Sequence, residues 1–253
     1  DSQILNHFFH ENNIDVKLFH IPEGKYNFFN LHEAKKISLS TNKIIEQLNK
    51  FTKNSYNPYP LTHSSSTSLF QLYNSIKKDK FKVTFNGEGS DELFGGYGRF
   101  SKQLQLLKNK KNKFSDMILS LYKNEIEIIK SVLNKNYTHD LNHQLEKRID
   151  SIVLRSKKIE NKILEFDQIT FIPAMIQRHD SIGMFNSLEV RPPFLDHDLV
   201  EVVNSLPVNL KYKLNESKII LKKILLKKFC YKAPKTKLGT PSIFDEILKN
   251  KKE

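Results

Sequence analysis

The stretch Phe85–Phe100, FNGEGSDELFGGYGRF, holds five of the chain's eight glycines together with the acids Glu88, Asp91 and Glu92. Upstream of it, Phe81-Lys82-Val83-Thr84-Phe85 alternates apolar and polar residues, the period of a short strand. The order is therefore strand, glycine-rich acidic turn, then Leu93-Phe94 and an aromatic tail broken by glycine. A turn of this composition lets the backbone come close to a ligand. Carboxylates placed there can hold a metal ion or take part in proton transfer. On local chemistry alone an ordinary β-turn with solvated acids stays open as the alternative.

At 253 residues, with 38% hydrophobic and 11% aromatic content, the chain is long enough for one large or two small domains with a core. No apolar run approaches the length needed to cross a membrane. The first residues carry Asp1, His7, His10 and Glu11 and do not read as a signal peptide. A single cysteine, Cys230, excludes an internal disulfide framework and suits a reducing cytoplasm. It reads as a buried or semi-buried small residue. The formal net charge of +13 is carried almost wholly by lysine. Its densest run, Lys108–Lys113, lacks the aromatic interleaving of a nucleic-acid platform and reads as a solvated helix end or loop. No recognised nucleic-acid motif accompanies the charge, so the expectation is no nucleic-acid partner and no membrane.

Taken in order, Ile4, Leu5, Phe8 and Phe9 share one helical face that ends near Asn12-Asn13. Val16–Ile21 predicts a strand stopped by Pro22-Glu23-Gly24, and helices are predicted over Glu33–Leu39 and Ile44–Phe51. The prolines of Tyr56–Pro60 predict a loop, and Ser64-Ser65-Ser66 a cap for the helix bearing Leu69, Phe70, Leu72 and Tyr73. This alternation predicts an α/β layer with a parallel sheet over residues 1–100. From 101 to 253 the pattern turns helical, with helices over about Asn142–Leu164, Phe166–Met184 and Asp196–Leu206, and a further one capped by Asn215. Asp196 reads as an N-cap and Pro207 as a stop. No internal repeat is present.

Read together, three stretches resemble one family. FNGEGSDELFGGYGRF is similar to the Ser-Gly-Glu-Gly-Ser/Ala-Asp-Glu-Leu-Phe-Gly-Gly-Tyr signature of the asparagine synthetase family, in its synthetase domain. Asp180–Asp196, DSIGMFNSLEVRPPFLD, resembles the family run Asp-Arg-x-x-Met-x-x-Ser-x-Glu-x-Arg-x-Pro-Phe-Leu-Asp. Leu206-Pro207, Lys211, Lys218 with Leu221, and Pro234 through Lys237, Gly239 and Pro241 follow the family's order toward the end of that domain. Asp1-Ser2, followed by a helix, looks like the end of the family's Ser-Gly-Gly-x-Asp-Ser pyrophosphate loop. The chain begins without an initiator Met, and the expectation is of a piece cut inside that loop, inactive in isolation. Its parent would carry an upstream glutaminase domain.

The resemblance implies a parallel-sheet, pyrophosphatase-type ATP-binding layer (adenine nucleotide alpha hydrolase-like) with a C-terminal all-helical part. It also implies ATP and Mg²⁺, and amide formation through an acyl-adenylate in the cytoplasm. The leading substrates are aspartate and ammonia derived from glutamine. By the same resemblance Asp1 and Asp91 are Mg²⁺ ligands on either side of the phosphates. Lys218, in the first turn of its helix, offsets phosphate charge, and Asp1, Ser2, Asn86 and Gly87 meet the nucleotide. Glu88 positions or deprotonates the incoming amine, and Tyr97 orients substrate or Glu88. Glu189 and Arg191 read as a buried structural pair. Asp180 either touches the substrate pocket or caps or braces its helix.

Two departures bear on this. Asn86 stands where the family usually has serine, and Ile172-Pro173-Ala174-Met175 lacks the aspartates many relatives carry after that proline. The second leaves the carboxylate substrate open: a polysaccharide, peptide or β-lactam precursor acted on by a related amidotransferase or cyclase is the alternative. A non-catalytic binding module is the remaining one.

Overall fold

The computed structural model describes residues 1–22, 34–39, 65–100, 113–133 and 138–233, with the single positions Glu46, Asn49, Lys53 and Gln105. The elements run α1 (Ser2–Glu11), β1 (Phe19–His20), β2 (Lys35–Lys36), α2 (Ser66–Lys78), β3 (Val83–Phe85) and α3 (Ser90–Phe94). There follow α4 (Phe114–Leu121), α5 (Lys123–Val132), α6 (Leu141–Asp150), α7 (Ile159–Thr170) and α8 (Ile172–Phe185). Then come β4 (Glu189–Arg191), a 3₁₀ turn (Pro193–Leu195), α9 (His197–Ser205), α10 (Val208–Lys211) and α11 (Ile219–Phe229). The chain divides into two compact units, each drawing on both sides of residue 100. One comprises Asp1–Glu88, Pro173–Asp196 and Ile224–Glu253, the other Gly89–Ile172 and His197–Lys223.

The first unit holds the described strands. β1 pairs with β2 and β3 with β4, both in parallel, the latter in the register Val83↔Glu189, Thr84↔Val190, Phe85↔Arg191. Its core is the inner face of α2, where Leu69, Phe70, Tyr73 and Ile76 recur at helical spacing and are buried with Ile182 of α8 and Leu188. Side chains of this size each stabilise by about 1.5–3 kcal/mol when fully buried. The second unit is helical. Phe100, Met117, Ile118, Ile149, Ile163, Leu164, Phe166 and Tyr212 form its core. Arg99 reaches the buried Asp167 carboxylate at 2.5 Å and lies over the Tyr97 and Phe171 rings.

Several expectations are corrected. Lys35–Lys36 is strand, not helix: Lys35 N–H donates to Leu18 O and Ile37 N–H to His20 O, both at 2.8 Å. Asp79 holds Lys17 and Lys35 together at 2.7 and 2.5 Å, so tertiary pairing overrides the helical pattern. The predicted 142–164 helix is two helices. Glu165 accepts from the amides of Arg155 and Ser156 at 2.7 and 2.9 Å and so ties the intervening segment to α7. Asn215 does not stand at the start of α11. It has φ +63 in the turn closed by Lys213 and Glu216, and α11 begins at Ile219. Glu189 and Arg191 do pair, at 2.7 Å, but on the same face of β4 with both side chains more than half exposed. Cys230 is exposed, at φ +52 directly after α11, where Tyr231 N–H closes the helix end onto Leu225 O at 3.0 Å. The predictions for Ile44–Phe51, Tyr56–Pro60 and the end of the chain from Pro234 lie outside the described residues.

Candidate active site

In the first unit, the exit of β3 lies against the start of α1. Asn86 N–H donates to Arg191 O at 3.1 Å, extending the parallel pairing one residue beyond the strand. A Cβ built on Gly87 would stand 2.6 Å from Asp1 Cβ and 3.2 Å from Ser2 N, so no residue but glycine permits this approach. Asp1 is the N-cap of α1, its carbonyl accepting from Ile4 N–H at 3.0 Å. The predicted residues Asp1, Ser2 and Gly87 are thus brought together, from the two ends of an 87-residue segment.

Glu88 follows, its backbone N–H donating to Asn86 Oδ1 at 3.2 Å. Its carboxylate Oε1 lies 2.9 Å from His179 Nε2 and 3.8 Å from the Arg178 guanidinium. On its other side His179 Nδ1 meets Tyr73 Oη at 2.5 Å and Asn86 Nδ2 at 3.3 Å. His179 is buried, and burial pushes the Tyr73 phenol above its usual range. Arg178 also reaches Ser65 Oγ at 3.4 Å; Ser65 sits at the N-cap of α2, where its hydroxyl makes no capping bond.

The second unit carries the rest of the acidic stretch, which is a short helix. α3 is bracketed by Gly89 at φ +86 and Gly95 at φ +68, and Glu92, Leu93 and Phe94 are buried. Asp91, in its first turn, meets Lys218 Nζ at 2.6 Å. The Lys218 N–H donates to Phe94 O at 3.2 Å, so backbone and side chain both tie this lysine to α3. A Cβ on Gly96 would fall 1.7 Å from Asp91 Oδ1 and 2.3 Å from Lys218 Cε. Glycine at 96 is what leaves room for the ion pair. Lys218 itself precedes α11 rather than lying in its first turn, with φ +51 and its carbonyl accepting the first bond of the helix from Lys222 N–H. A non-glycine residue held there stores strain, a pattern that recurs at functional sites.

Tyr97 Oη donates to Glu92 Oε1, so its partner is Glu92 and not Glu88. Burial, then the Glu92 and Asp91 carboxylates, push its phenol far above the usual range. Asp180 is exposed in the interior of α8, a position that excludes a capping role. Sequence reasoning passed over His179, Arg178 and Tyr73. The one signal available was that Arg178-His179 immediately precedes the second motif.

Among the described residues no three His, Cys, Asp or Glu side chains converge to hold a metal between them. What the chain offers is single carboxylates beside a lysine and a helix N-terminus. That sparse donor set fits Mg²⁺, which takes one or two carboxylates and completes its shell with phosphate oxygens and water. No helix of the described residues is long and apolar enough to cross a membrane.

The asparagine synthase family model matches residues 32–243, and the chain belongs to that family. Asparagine synthetase (glutamine-hydrolyzing) 3 of Bacillus subtilis is 29% identical over 164 residues, covering 63% of this chain and 26% of the relative. Asparagine synthetase (glutamine-hydrolyzing) 1 of the same organism is 26% identical over 195 residues, covering 65% and 31%. Amidase chyE of Penicillium rubens is 28% identical over 217 residues, covering 66% and 32%. The chain thus spans only 26–32% of the length of these relatives.

Proposed function

We propose that this chain is the synthetase part of an ATP-dependent, AMP-forming ligase that makes an amide through an acyl-adenylate. Aspartate is the carboxylate substrate and ammonia, released from glutamine elsewhere on the parent chain, the nucleophile. A carboxylate oxygen attacks the α-phosphorus, forming the acyl–phosphate bond and breaking the bond to pyrophosphate. Ammonia then attacks the acyl carbon, AMP leaves, and Glu88 takes the proton from nitrogen. Lys218 offsets the charge that builds on the phosphates. Asp1, Ser2, Asn86 and Gly87 bind the nucleotide, and Asp1 and Asp91 are the carboxylates that would hold Mg²⁺. When bound, Mg²⁺ supplies further neutralisation of the phosphate oxygens. The pyrophosphatase-type layer and a cytoplasmic setting are part of the same reading. Tyr97 acts by bracing Glu92, and Asp180 is a candidate substrate contact.

The observation that carries this reading is the Asp91–Lys218 pair at 2.6 Å, joining two residues drawn from motifs far apart in a chain of this family. Aspartate-dependent exchange of pyrophosphate into ATP, measured on the full-length protein, tests it. Asp91→Asn and Lys218→Ala should each lower exchange by about 100–1,000-fold with circular dichroism unchanged. Near-normal exchange in either variant would overturn the assigned roles.

A second reading replaces aspartate by another carboxylate. Ile172-Pro173-Ala174 offers no acid where many family members have one, and chyE, among the similar proteins, is named an amidase. Exchange driven by a different carboxylate and not by aspartate would select it.

A further inference from the structure

His179 lies outside the motif that resembles the family's second signature, yet its Nε2 stands 2.9 Å from Glu88 Oε1. An ionised carboxylate only accepts, so Nε2 must carry the proton to bond it. The opposite ring nitrogen meets groups that enforce the same choice. Asn86 Oδ1 is taken by Glu88 N–H, which turns the amide's NH₂ toward Nδ1 at 3.3 Å. Tyr73 Oη, kept protonated by burial, is free to rotate its hydrogen onto Nδ1 at 2.5 Å. Two donors therefore converge on Nδ1, leaving it the acceptor and Nε2 the N–H. The opposite tautomer would face an Nε2 lone pair toward a carboxylate oxygen. The Arg178 guanidinium, 3.4 Å from Nε2, does not compensate for that, since it lies farther away than the carboxylate.

We infer that His179 is the positioning residue for Glu88, its Nε2–H tautomer fixed by Tyr73 and Asn86 so that the carboxylate is held at Oε1 in one orientation. Asn86 serves both sides of this arrangement: its side chain accepts from the Glu88 amide and donates to the imidazole at once. The catalytic part of the inference rests on the amide-forming reading above; the tautomer part does not.

Two measurements on the full-length protein separate the two. The first is amide product formed relative to pyrophosphate exchanged. His179→Leu should lower that ratio about tenfold or more, and His179→Gln, whose amide nitrogen can stand where Nε2 stood, should restore most of it. In a Glu88→Gln background, His179→Leu should cost nothing further. An unchanged ratio in His179→Leu, or a His179→Gln no better than His179→Leu, overturns the inference. A merely structural histidine would lower exchange and amide formation together. The second is long-range ¹H–¹⁵N correlation of the ring nitrogens, expected to show the Nε2–H tautomer with a resonance that moves in Glu88→Gln. An Nδ1–H tautomer overturns the placement whatever the activity. Absence of exchange with any carboxylate would instead sink the amide-forming reading, with the tautomer still deciding for or against the dyad.

Discussion

Glu88 and Asp91 stand three residues apart, one before α3 and one in its first turn, and the chain passes from one compact unit to the other between them. They are held by unlike means. Glu88 is fixed chiefly by hydrogen bonds through His179, Asn86 and Tyr73, an arrangement that sets direction, with the Arg178 guanidinium 3.8 Å away. Asp91 is fixed by charge, against a lysine whose backbone is strained to reach it and past a glycine that gives it room. A group that removes a proton needs orientation, whereas a group that works beside phosphates needs charge in the right place. The two supports match the tasks proposed for these two residues.

The sharpest way to break this comparison is through space alone. Gly96→Ala puts a methyl group onto Asp91 Oδ1 and Lys218 Cε, while Gly98 has nothing within 4 Å of an added Cβ. Pyrophosphate exchange should fall by about 100-fold in Gly96→Ala, the loss expected for one displaced electrostatic group, and stay near wild type in Gly98→Ala. Equal loss in both would show that the crowding at 96 is not what positions the pair.

Removing one hydroxyl from each support gives the next test. Tyr97→Phe leaves the buried Glu92 carboxylate without its phenolic donor, and chemical denaturation should report a loss of about 2–3 kcal/mol. Tyr73→Phe leaves His179 Nδ1 with Asn86 as donor, so its cost should stay near 1 kcal/mol. A larger penalty at Tyr73 would mean that the hydrogen-bonded side bears more of the fold's stability than the charged side.

The smallest effect concerns a second lysine of the charged side's unit. Burial pulls the Lys211 ammonium down from 10.5 to about 8. With the folded value below the unfolded one, the unfolded chain binds more protons between them, so this residue's contribution to stability rises as pH climbs from about 8 toward 10.5. Its cost is present in full below that window. Lys211→Met should therefore raise Tm at neutral pH by roughly 2–4 °C, with the difference from wild type shrinking as the pH rises through the window. Thermal melts at several pH values check it, and a constant difference would refute the linkage.

Much of this molecule is legible in its sequence because the governing physics is local. The face Ile4, Leu5, Phe8, Phe9 gives α1, and the core positions of α2 follow from helical spacing. The acidic stretch marks itself by its five glycines, and it falls inside the part of the chain that the family model matches. Legibility fails where a distant group competes with local preference. Lys35–Lys36 is strand because Leu18, His20 and Asp79 are there to bind it. The break between α6 and α7 depends on one carboxylate, Glu165, reaching back to two amides.

What the residue order determined by itself was the inventory: a glycine-rich acidic turn after a strand, a lysine near the start of a late helix, and a family to which both belong. What only the tertiary structure decided was which group holds which. Tyr97 went to Glu92, Lys218 to Asp91, and Glu88 to a histidine ninety-one positions later that no motif contained. Spacing along a chain encodes faces and turns. The partner of a buried or half-buried polar atom is settled by whichever donor or acceptor the packed helices bring within about 3 Å, and that distance is written nowhere in the sequence.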